Sequence, residues 1–128
     1  MEQHRSACAR FLTSLDVYLM TTDELVWARK EALRTGRDAN SATKDLRTTY
    51  ASGRAELLAA NAALQLAAEP TACARADDTV RHAQEMDRHV WNYVVHDGRQ
   101  IPKDSQPTFD AVTQAREDFI AAARNLST

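Results

Sequence analysis

Histidines and carboxylates recur at helical spacing in the third quarter of the chain, where they could bind a metal ion. The set comprises Asp78, His82, Glu85, His89 and His96. Glu85 and His89 are four residues apart, a spacing that lets one helix present both side chains to one ion. On a helix that turns by about 100° per residue, the set lies about 170° from the apolar stripe between Val80 and Val90 and so faces solvent or a partner. We interpret it as a solvated face, with a zinc site between protomers as the alternative.

Basic residues gather around the connection between the first and second predicted helices, where they could contact a phosphate or a nucleic acid. Six basic residues and three acidic residues lie between Arg29 and Arg47, which gives this stretch a net charge of +3. The candidates for an anion site are Arg34, Arg37, Lys44 and Arg47. Cations also collect at helix C-termini because of the helix dipole, and neither helix-turn-helix spacing nor an RNA-binding signature accompanies them. A nucleic-acid accessory protein is therefore a third hypothesis, and we expect nucleic acid not to be the partner.

Large apolar side chains are more numerous at the shared end of the first and third predicted helices than four helices comfortably bury. They are Val17, Met20 and Trp27 on the first helix, and Met86, Trp91 and Tyr93 on the third. The first three point well away from the core stripe of their helix, and the others lie in or beside a dense apolar run. Exposed aromatic and methionine side chains are typical of partner surfaces. We therefore predict an interface here, with a wide bundle or the loop around Ile101 covering these side chains as the alternative.

The side chains that commonly perform catalysis lack their usual contexts. Cys8 and Cys73 have no CxxC spacing and no histidine beside them in the sequence, and each falls on an apolar helical stripe. We expect buried, inert thiols. The three glycines are isolated, which excludes Walker and Rossmann phosphate loops, and the GxSxG and HExxH motifs are absent. The sequence therefore predicts a protein that is not an enzyme and has no cofactor.

The composition is that of one helical domain. The chain has 128 residues, 44% of them hydrophobic, and only three glycines and three prolines. This length can build one core, and the scarcity of glycine and proline favours helix. The formal net charge of −2 argues against a general nucleic-acid binder, and no apolar run approaches the roughly 20 residues of a membrane span. Charged residues interrupt the first twelve positions, so we expect no secretion signal, no membrane partner and a cytoplasmic location.

Helix-ending and helix-starting residues divide the chain into four parts. Helices are predicted over about residues 2–35, 39–68, 70–97 and 106–126. Gly36 and Gly98 stand where helices end, and Pro70 and Pro107 stand where helices begin. Pro70 is a corner in this interpretation. If it is only a kink in one long helix, the remaining helices would fold against a partner chain.

Apolar stripes give each predicted helix an inward side. The first helix has Cys8, Phe11, Leu15, Tyr18, Leu25 and Leu33; the second has Leu46, Tyr50, Gly53, Leu57, Ala60, Leu64 and Ala67. The second stripe has heptad-like steps, and Gly53 on it permits close helix packing. With short connections, residues 1–128 are predicted to form a single all-α domain, an antiparallel up-down-up-down four-helix bundle with long first and second helices. Trp27 and Trp91 should then lie at similar heights, about 27 Å from Cys8 and Cys73.

These observations predict a non-enzymatic helical protein with a structural or regulatory role. Its partner is expected to be a second copy of the chain or another helical protein. The alternative is a small-ligand or metal-binding bundle that uses the histidine set, which stoichiometric metal in untagged protein would favour. The third hypothesis, a nucleic-acid accessory protein, predicts salt-sensitive retention on heparin or DNA.

Overall fold

Stripes at helical spacing and few helix-breaking residues give a chain that is helical along almost all of its described length. The computed structural model describes residues 2–95 and 106–125. Its helices are α1 (Glu2–Arg34), α2 (Ala39–Ala42), α3 (Lys44–Ala67), α4 (Pro70–Val95) and α5 (Gln106–Asn125). None of these residues forms a β-strand, which confirms the all-α class. No helix in this part of the chain is long and apolar enough to cross a bilayer.

The connection after α1 contains one difference from the predicted helices. Gly36 has a φ of 71°, and the N–H of Arg37 donates to the carbonyl five residues earlier at 2.9 Å, so α1 ends in a left-handed motif close to the predicted residue. The prediction of one helix over residues 39–68 is wrong at Thr43, which separates α2 from α3. Its ψ of 2° departs from helical geometry, and its buried side chain donates to Ala39 O at 2.8 Å. The side chain of Asp38 caps the short α2.

Pro70 is a corner between two helices. The chain is extended two residues before it, with φ −101° and ψ 166°, and α4 begins at the proline itself. Beyond the corner α4 runs back along α3. The amide of Asn61 donates to Asp77 Oδ1 at 3.0 Å, and Gln65 Nε2 donates to Cys73 O at 3.1 Å, so residue numbers fall along α3 as they rise along α4. This direction excludes a continuous, merely kinked helix.

The long helices pair as two hairpins. α1 packs most extensively on α3, and α4 packs most extensively on α5. The first hairpin is antiparallel, because Arg10 pairs with Glu56 while Tyr18 lies against Tyr50. A Cβ atom added at Gly53 would lie 3.9 Å from the Tyr18 Cα, so α3 approaches the backbone of α1 closely at the glycine, in agreement with the predicted close packing.

The two hairpins meet through the inward faces of α1, α4 and α5. The rings of Phe11 and Phe119 lie 4.9 Å apart, and Arg116 Nε donates to Asp16 Oδ1 at 2.8 Å, so α5 is antiparallel to α1. The hydroxyl of Tyr18 lies 3.4 Å from the backbone oxygen of α4 residue 83, which places α1 and α4 side by side. These contacts form one continuous core.

The core contains most of the predicted stripe residues. Its largest fully buried side chains are Tyr18, Tyr50, Tyr93, Phe11, Phe119, Leu15, Leu25 and Leu64. Leu33 is the exception on α1, because it is exposed while Ala32 takes the inward position. The stripe of α1 therefore continues from Arg29 to Ala32, three residues later, and not to Leu33.

Candidate functional site

A chain of hydrogen bonds between polar side chains crosses the core from α1 to α4. Tyr18 Oη and Tyr50 Oη lie 2.9 Å apart, Tyr50 Oη donates to Asp87 Oδ1, and Arg54 Nη1 donates to Asp87 Oδ2 at 3.0 Å. Both tyrosines are fully buried, whereas Asp87 and Arg54 are partly exposed. We call these four residues the tyrosine–aspartate chain. It joins α1, α3 and α4.

The single proton of each hydroxyl sets the direction of this chain. Tyr50 uses its proton toward Asp87, so Tyr18 must donate to Tyr50 Oη. Ala83 O, 3.4 Å from the same hydroxyl, is a second and more distant acceptor for Tyr18. The carboxylate therefore accepts from a phenol on one oxygen and from a guanidinium on the other, and each buried hydroxyl has a partner.

Burial makes the two phenols poor acids. Removal from water raises the pKa of Tyr50 far above its ordinary value, and the neighbouring Tyr18 raises it further. Burial likewise raises the pKa of Tyr18, more than its hydrogen bond to Tyr50 lowers it. Both side chains are neutral hydrogen-bond donors at neutral pH. The arrangement is suited to holding three helices in register, because its hydrogen bonds join side chains of α1, α3 and α4.

Aromatic contacts extend the tyrosine–aspartate chain toward the surface. The ring of Trp91 stacks on that of Tyr50 with centroids 6.2 Å apart and planes 17° apart. Nearby, the guanidinium carbon of Arg29 lies 5.2 Å from the ring centre of Tyr93, and both residues are buried. This cation–π contact explains how a charged residue takes a place on the apolar stripe of α1.

The predicted interface residues divide into two groups. Val17, Met20 and Trp27 are 43%, 55% and 65% exposed and lie on one face of α1, as their angular positions predicted. Met86 and Tyr93 are buried in the core, so the surface position predicted for these two is wrong. They occupy the edge of the α4 stripe, which the other helices cover. Trp91 is half-buried and its ring stacks on that of Tyr50, so only part of the indole is available to a partner.

The histidine set does not converge on an ion within the described residues. Among residues 2–95 and 106–125, no group of three histidine, cysteine, aspartate or glutamate side chains could hold a metal ion. Glu85 is exposed, whereas His82 and His89 are half-buried, and His96 lies outside the described residues. His82 lines a groove between α4 and α5 together with Asp78, so part of the set faces α5 instead of open solvent.

The four predicted anion-site cations do not share one site. Arg34 is held by Glu31 on its own helix, with Nε 3.1 Å from Oε2, and this arginine lowers the pKa of the glutamate. Arg37 donates to Thr35 Oγ1 at 3.1 Å. Arg47 Nη2 donates to Asn40 O at 3.0 Å, and both Lys44 and Arg47 lie beside Trp91 at the edge of a groove on α3.

This α3 groove lies between the first half of α3 and α4 and has a volume of about 570 Å³. Its lining comprises Lys44, Arg47, Thr48, Ala51, Ser52, Ala55 and Trp91. Small side chains on α3 leave the space open, and the indole forms its aromatic wall. The groove therefore combines an apolar floor with a cationic edge.

The thiols lie at the opposite end of the molecule from this groove. Cys8 is buried and Cys73 half-buried, both are free, and burial raises the pKa of each. No histidine is adjacent to either cysteine in the sequence, but His4 lies one helical turn before Cys8, with Nε2 3.8 Å from Sγ. The other ring nitrogen of His4 accepts the N–H of Glu69 at 3.3 Å, which assigns the proton to Nε2. His4 therefore donates toward the sulfur and does not act as a base for it.

The tyrosine–aspartate chain was not found from the sequence. The stripes place Tyr18 and Tyr50 in the core, but helical angles do not state which residues of two helices lie opposite each other. Asp87 gave no signal, because it belongs to neither the apolar stripe nor the histidine set of α4. The only available hint was a polar hydroxyl at an inward position on each of two helices predicted to be neighbours.

Comparison of the chain with protein-family models, with curated proteins and with solved structures gave no match.

Proposed function

We propose that this chain is an up-down-up-down four-helix bundle of α1, α3, α4 and α5 that acts through protein–protein association and not through catalysis. The directions of the helix pairs support the topology. α3 is antiparallel to both α1 and α4, and α5 is antiparallel to α1. α1 and α4 run parallel in such a bundle, which agrees with the contact between Tyr18 and Ala83 and with the placement of Arg29 over Tyr93.

The observation that carries the proposal is the exposed apolar face of α1, formed by Val17, Met20 and Trp27. The three residues are separated by steps of three and seven, so they project from one side of the helix. Trp27 keeps 65% of its surface exposed. Burying a tryptophan and a methionine against another protein removes a large apolar area from water, and both residue types are enriched in protein interfaces.

The shape beside Trp27 indicates what the α1 face accepts. A shallow, nearly apolar groove of about 420 Å³ is formed by Trp27, Ala28 and Leu46, with Asp23 and Glu24 at its edge. An apolar side chain from a partner helix would fill this groove, and a basic residue beside it would meet the carboxylates. A second copy of the chain, which is rich in such helical surfaces, is the partner we propose.

The inert character of the chemical groups supports a binding role. The phenols of Tyr18 and Tyr50 and the thiols of Cys8 and Cys73 all have raised pKa values. None of the four supplies the anionic nucleophile that covalent catalysis needs at neutral pH.

The proposal is tested by measuring absolute mass with light scattering over a concentration series. We expect the unmodified chain to exceed the 14.3 kDa of one copy, and the Met20→Gln/Trp27→Gln variant to lose mass without losing thermal stability. Both side chains are largely exposed, so their replacement removes contact with a partner and little core packing. Lys30→Gln, exposed on the same helix but off this face, is the control and should leave the mass unchanged.

Two results would contradict the proposal. The double variant could keep the mass of the unmodified chain while its unfolding free energy falls, which would assign Met20 and Trp27 to the core. The unmodified chain could remain a monomer at every concentration, which would remove self-association through the α1 face.

A further inference from the structure

One long face of α3 is exposed and carries no charge. Between Thr48 and Leu66 the side of α3 that is turned away from α1 and the core presents small and large apolar residues. They are Ala51, Ala55, Leu58, Ala59, Ala62 and Leu66, all exposed. At helical spacing they fall within about 100° of arc. An exposed apolar face of this extent is typical of a surface that another molecule covers.

The two ends of this α3 face have complementary shapes. At the N-terminal end lies the α3 groove, where Ala51 and Ala55 form the floor and Trp91 the wall. At the C-terminal end Leu66 projects with 91% of its surface exposed. The projecting leucine and the centre of the groove are about 22 Å apart along the helix. One molecule cannot bring them together.

The ends also carry opposite charges. Lys44 and Arg47 lie at the edge of the groove, and neither forms an ion pair with any residue that the structure describes. Glu69 is exposed three residues beyond Leu66, and its carboxylate forms no ion pair with the described part of the chain. The α3 face is thus apolar along its middle and positive at its N-terminal end, and the acidic Glu69 follows just beyond its C-terminal end, after α3 has ended at Ala67.

We infer that the α3 face binds a second copy of this chain, with the two α3 helices antiparallel across a twofold axis that passes near Leu58. Leu66 of each copy then enters the α3 groove of the other, and Glu69 of each copy approaches Lys44 and Arg47 of the other. A twofold contact must be self-complementary. The single chain supplies both halves of that fit.

Shape and charge together select this partner and this direction. Antiparallel pairing places each leucine over a groove floored by alanines, as a knob enters a hole between packed helices. Parallel pairing would set Leu66 against Leu66 and Lys44 against Lys44, and would leave both grooves empty. An unrelated helix could cover the apolar middle of the α3 face. Nothing would require that helix to carry its own apolar side chain and carboxylate at the α3 groove while also accepting Leu66 about 22 Å away.

This inference extends the proposed self-association, because it adds a second contact between copies on a different side of the chain from the α1 face. The two contacts can therefore be separated. The Met20→Gln/Trp27→Gln variant removes the α1 contact and leaves Trp91 as the sole tryptophan, since the chain has only two. Its fluorescence then reports directly on the α3 groove.

In this background we expect the mass to rise with concentration from 14.3 kDa to twice that value. We also expect the Trp91 emission to move to shorter wavelength over the same concentrations, because Leu66 of the second copy displaces water from the indole. If the double variant fails to fold, Trp27→Phe alone gives the same fluorescence signal with the aromatic bulk at position 27 retained.

Substitutions on the α3 face test its register. Leu66→Gln should weaken dimerisation roughly tenfold or more, because two leucines leave their grooves. Lys44→Glu and Glu69→Lys should each weaken it about fivefold, and the variant that carries both reversals should recover it, because the charges again oppose each other. Glu117→Lys, an exposed reversal on α5, is the control and should have no effect.

Each failure has a separate meaning. A background variant that stays monomeric at every concentration overturns the inference, as does a dimer that ignores Leu66→Gln. A dimer that Lys44→Glu weakens but the paired reversal does not restore overturns the antiparallel register. A short-wavelength Trp91 emission that is independent of concentration would show the groove to be filled within one chain. None of these results bears on the α1 face, which is judged from the difference in mass between the unmodified protein and the Met20→Gln/Trp27→Gln variant.

Discussion

The hydroxyl of Tyr50 connects three helices through two hydrogen bonds. It accepts from Tyr18 on α1 and donates to Asp87 on α4, while its ring lies between those of Tyr18 and Trp91. A buried polar group of this kind contributes modestly when its partners are present and costs much more when one partner is lost. Loss of the middle hydroxyl, that of Tyr50, should therefore lower the free energy of unfolding more than loss of the terminal hydroxyl of Tyr18.

Tyr50→Phe should lower the free energy of unfolding by about 1–3 kcal/mol, because Asp87 loses a donor and the buried hydroxyl of Tyr18 keeps only the distant Ala83 O. Tyr18→Phe should cost about 0.5–1.5 kcal/mol, because Tyr50 retains its bond to Asp87. Urea denaturation followed by circular dichroism measures both. Equal costs, or a larger cost for Tyr18→Phe, would show that the chain does not run in the direction assigned above. The variant with both substitutions should cost less than the sum.

At the scale of the element, the two described glycines of α1 and α3 have opposite requirements. Gly36 ends α1 with a φ of 71° and has open space around it. Gly53 lies inside α3 with ordinary helical backbone, and an added Cβ would only touch the Tyr18 Cα at 3.9 Å. The first position needs glycine for its backbone, whereas the second has room for a methyl group.

Gly53→Ala should raise the free energy of unfolding by about 0.5–1 kcal/mol, because alanine restricts the unfolded chain and fits in van der Waals contact. Gly36→Ala, the matched substitution, should lower it by about 1 kcal/mol, because an L residue is strained at positive φ. The shift in urea midpoint measures both. A destabilised Gly53→Ala would mean that α1 and α3 pack more closely than this contact indicates.

Helix boundaries were predicted well wherever one residue decides them. Gly36 ends a helix and Pro70 begins one for reasons that act within a few residues. The interruption at Thr43 was missed because its cause is not local. Threonine is tolerated inside helices, and this one is buried at the turn where the connection from α1 reaches α3. The demands of the tertiary connection overrode a sequence pattern compatible with continuous helix.

At the scale of the whole molecule, the hairpins are joined mainly by apolar packing. Phe11 and Phe119 meet in the core, while the ion pair of Asp16 and Arg116 lies at the surface with side chains 51% and 29% exposed. A fully buried phenylalanine contributes several kcal/mol, and an exposed ion pair contributes little.

Phe119→Ala should therefore lower the free energy of unfolding by about 3–5 kcal/mol, a large share of the about 5–15 kcal/mol typical of a domain. Asp16→Asn should change it by less than about 1 kcal/mol. Thermal unfolding, with both variants compared to the unmodified chain, measures the difference. If Asp16→Asn were as harmful as Phe119→Ala, the hairpins would be joined by charge instead of by the core.

The surface residues show how far the angular position of a residue on its helix predicts its exposure. The exposure of Met20 and Trp27 followed from their angle on α1, because one helix suffices to define that angle. The burial of Met86 and Tyr93 did not follow, since an edge position is exposed or buried according to how close the next helix comes. The bare face of α3 was missed for a related reason. Alanines on every side of a helix do not indicate which side remains uncovered.

The sequence by itself determined the helical class, the inward stripes of α1 and α3, and the corner at Pro70. Each depends on propensity, periodicity or backbone sterics, which act over a few residues. Only the tertiary structure decided that Tyr18, Tyr50 and Asp87 meet, that Met86 is core, and that Leu66 and the α3 groove lie on the same bare face. These facts depend on the register and spacing of separate helices, which are set by the packing of the whole core at once.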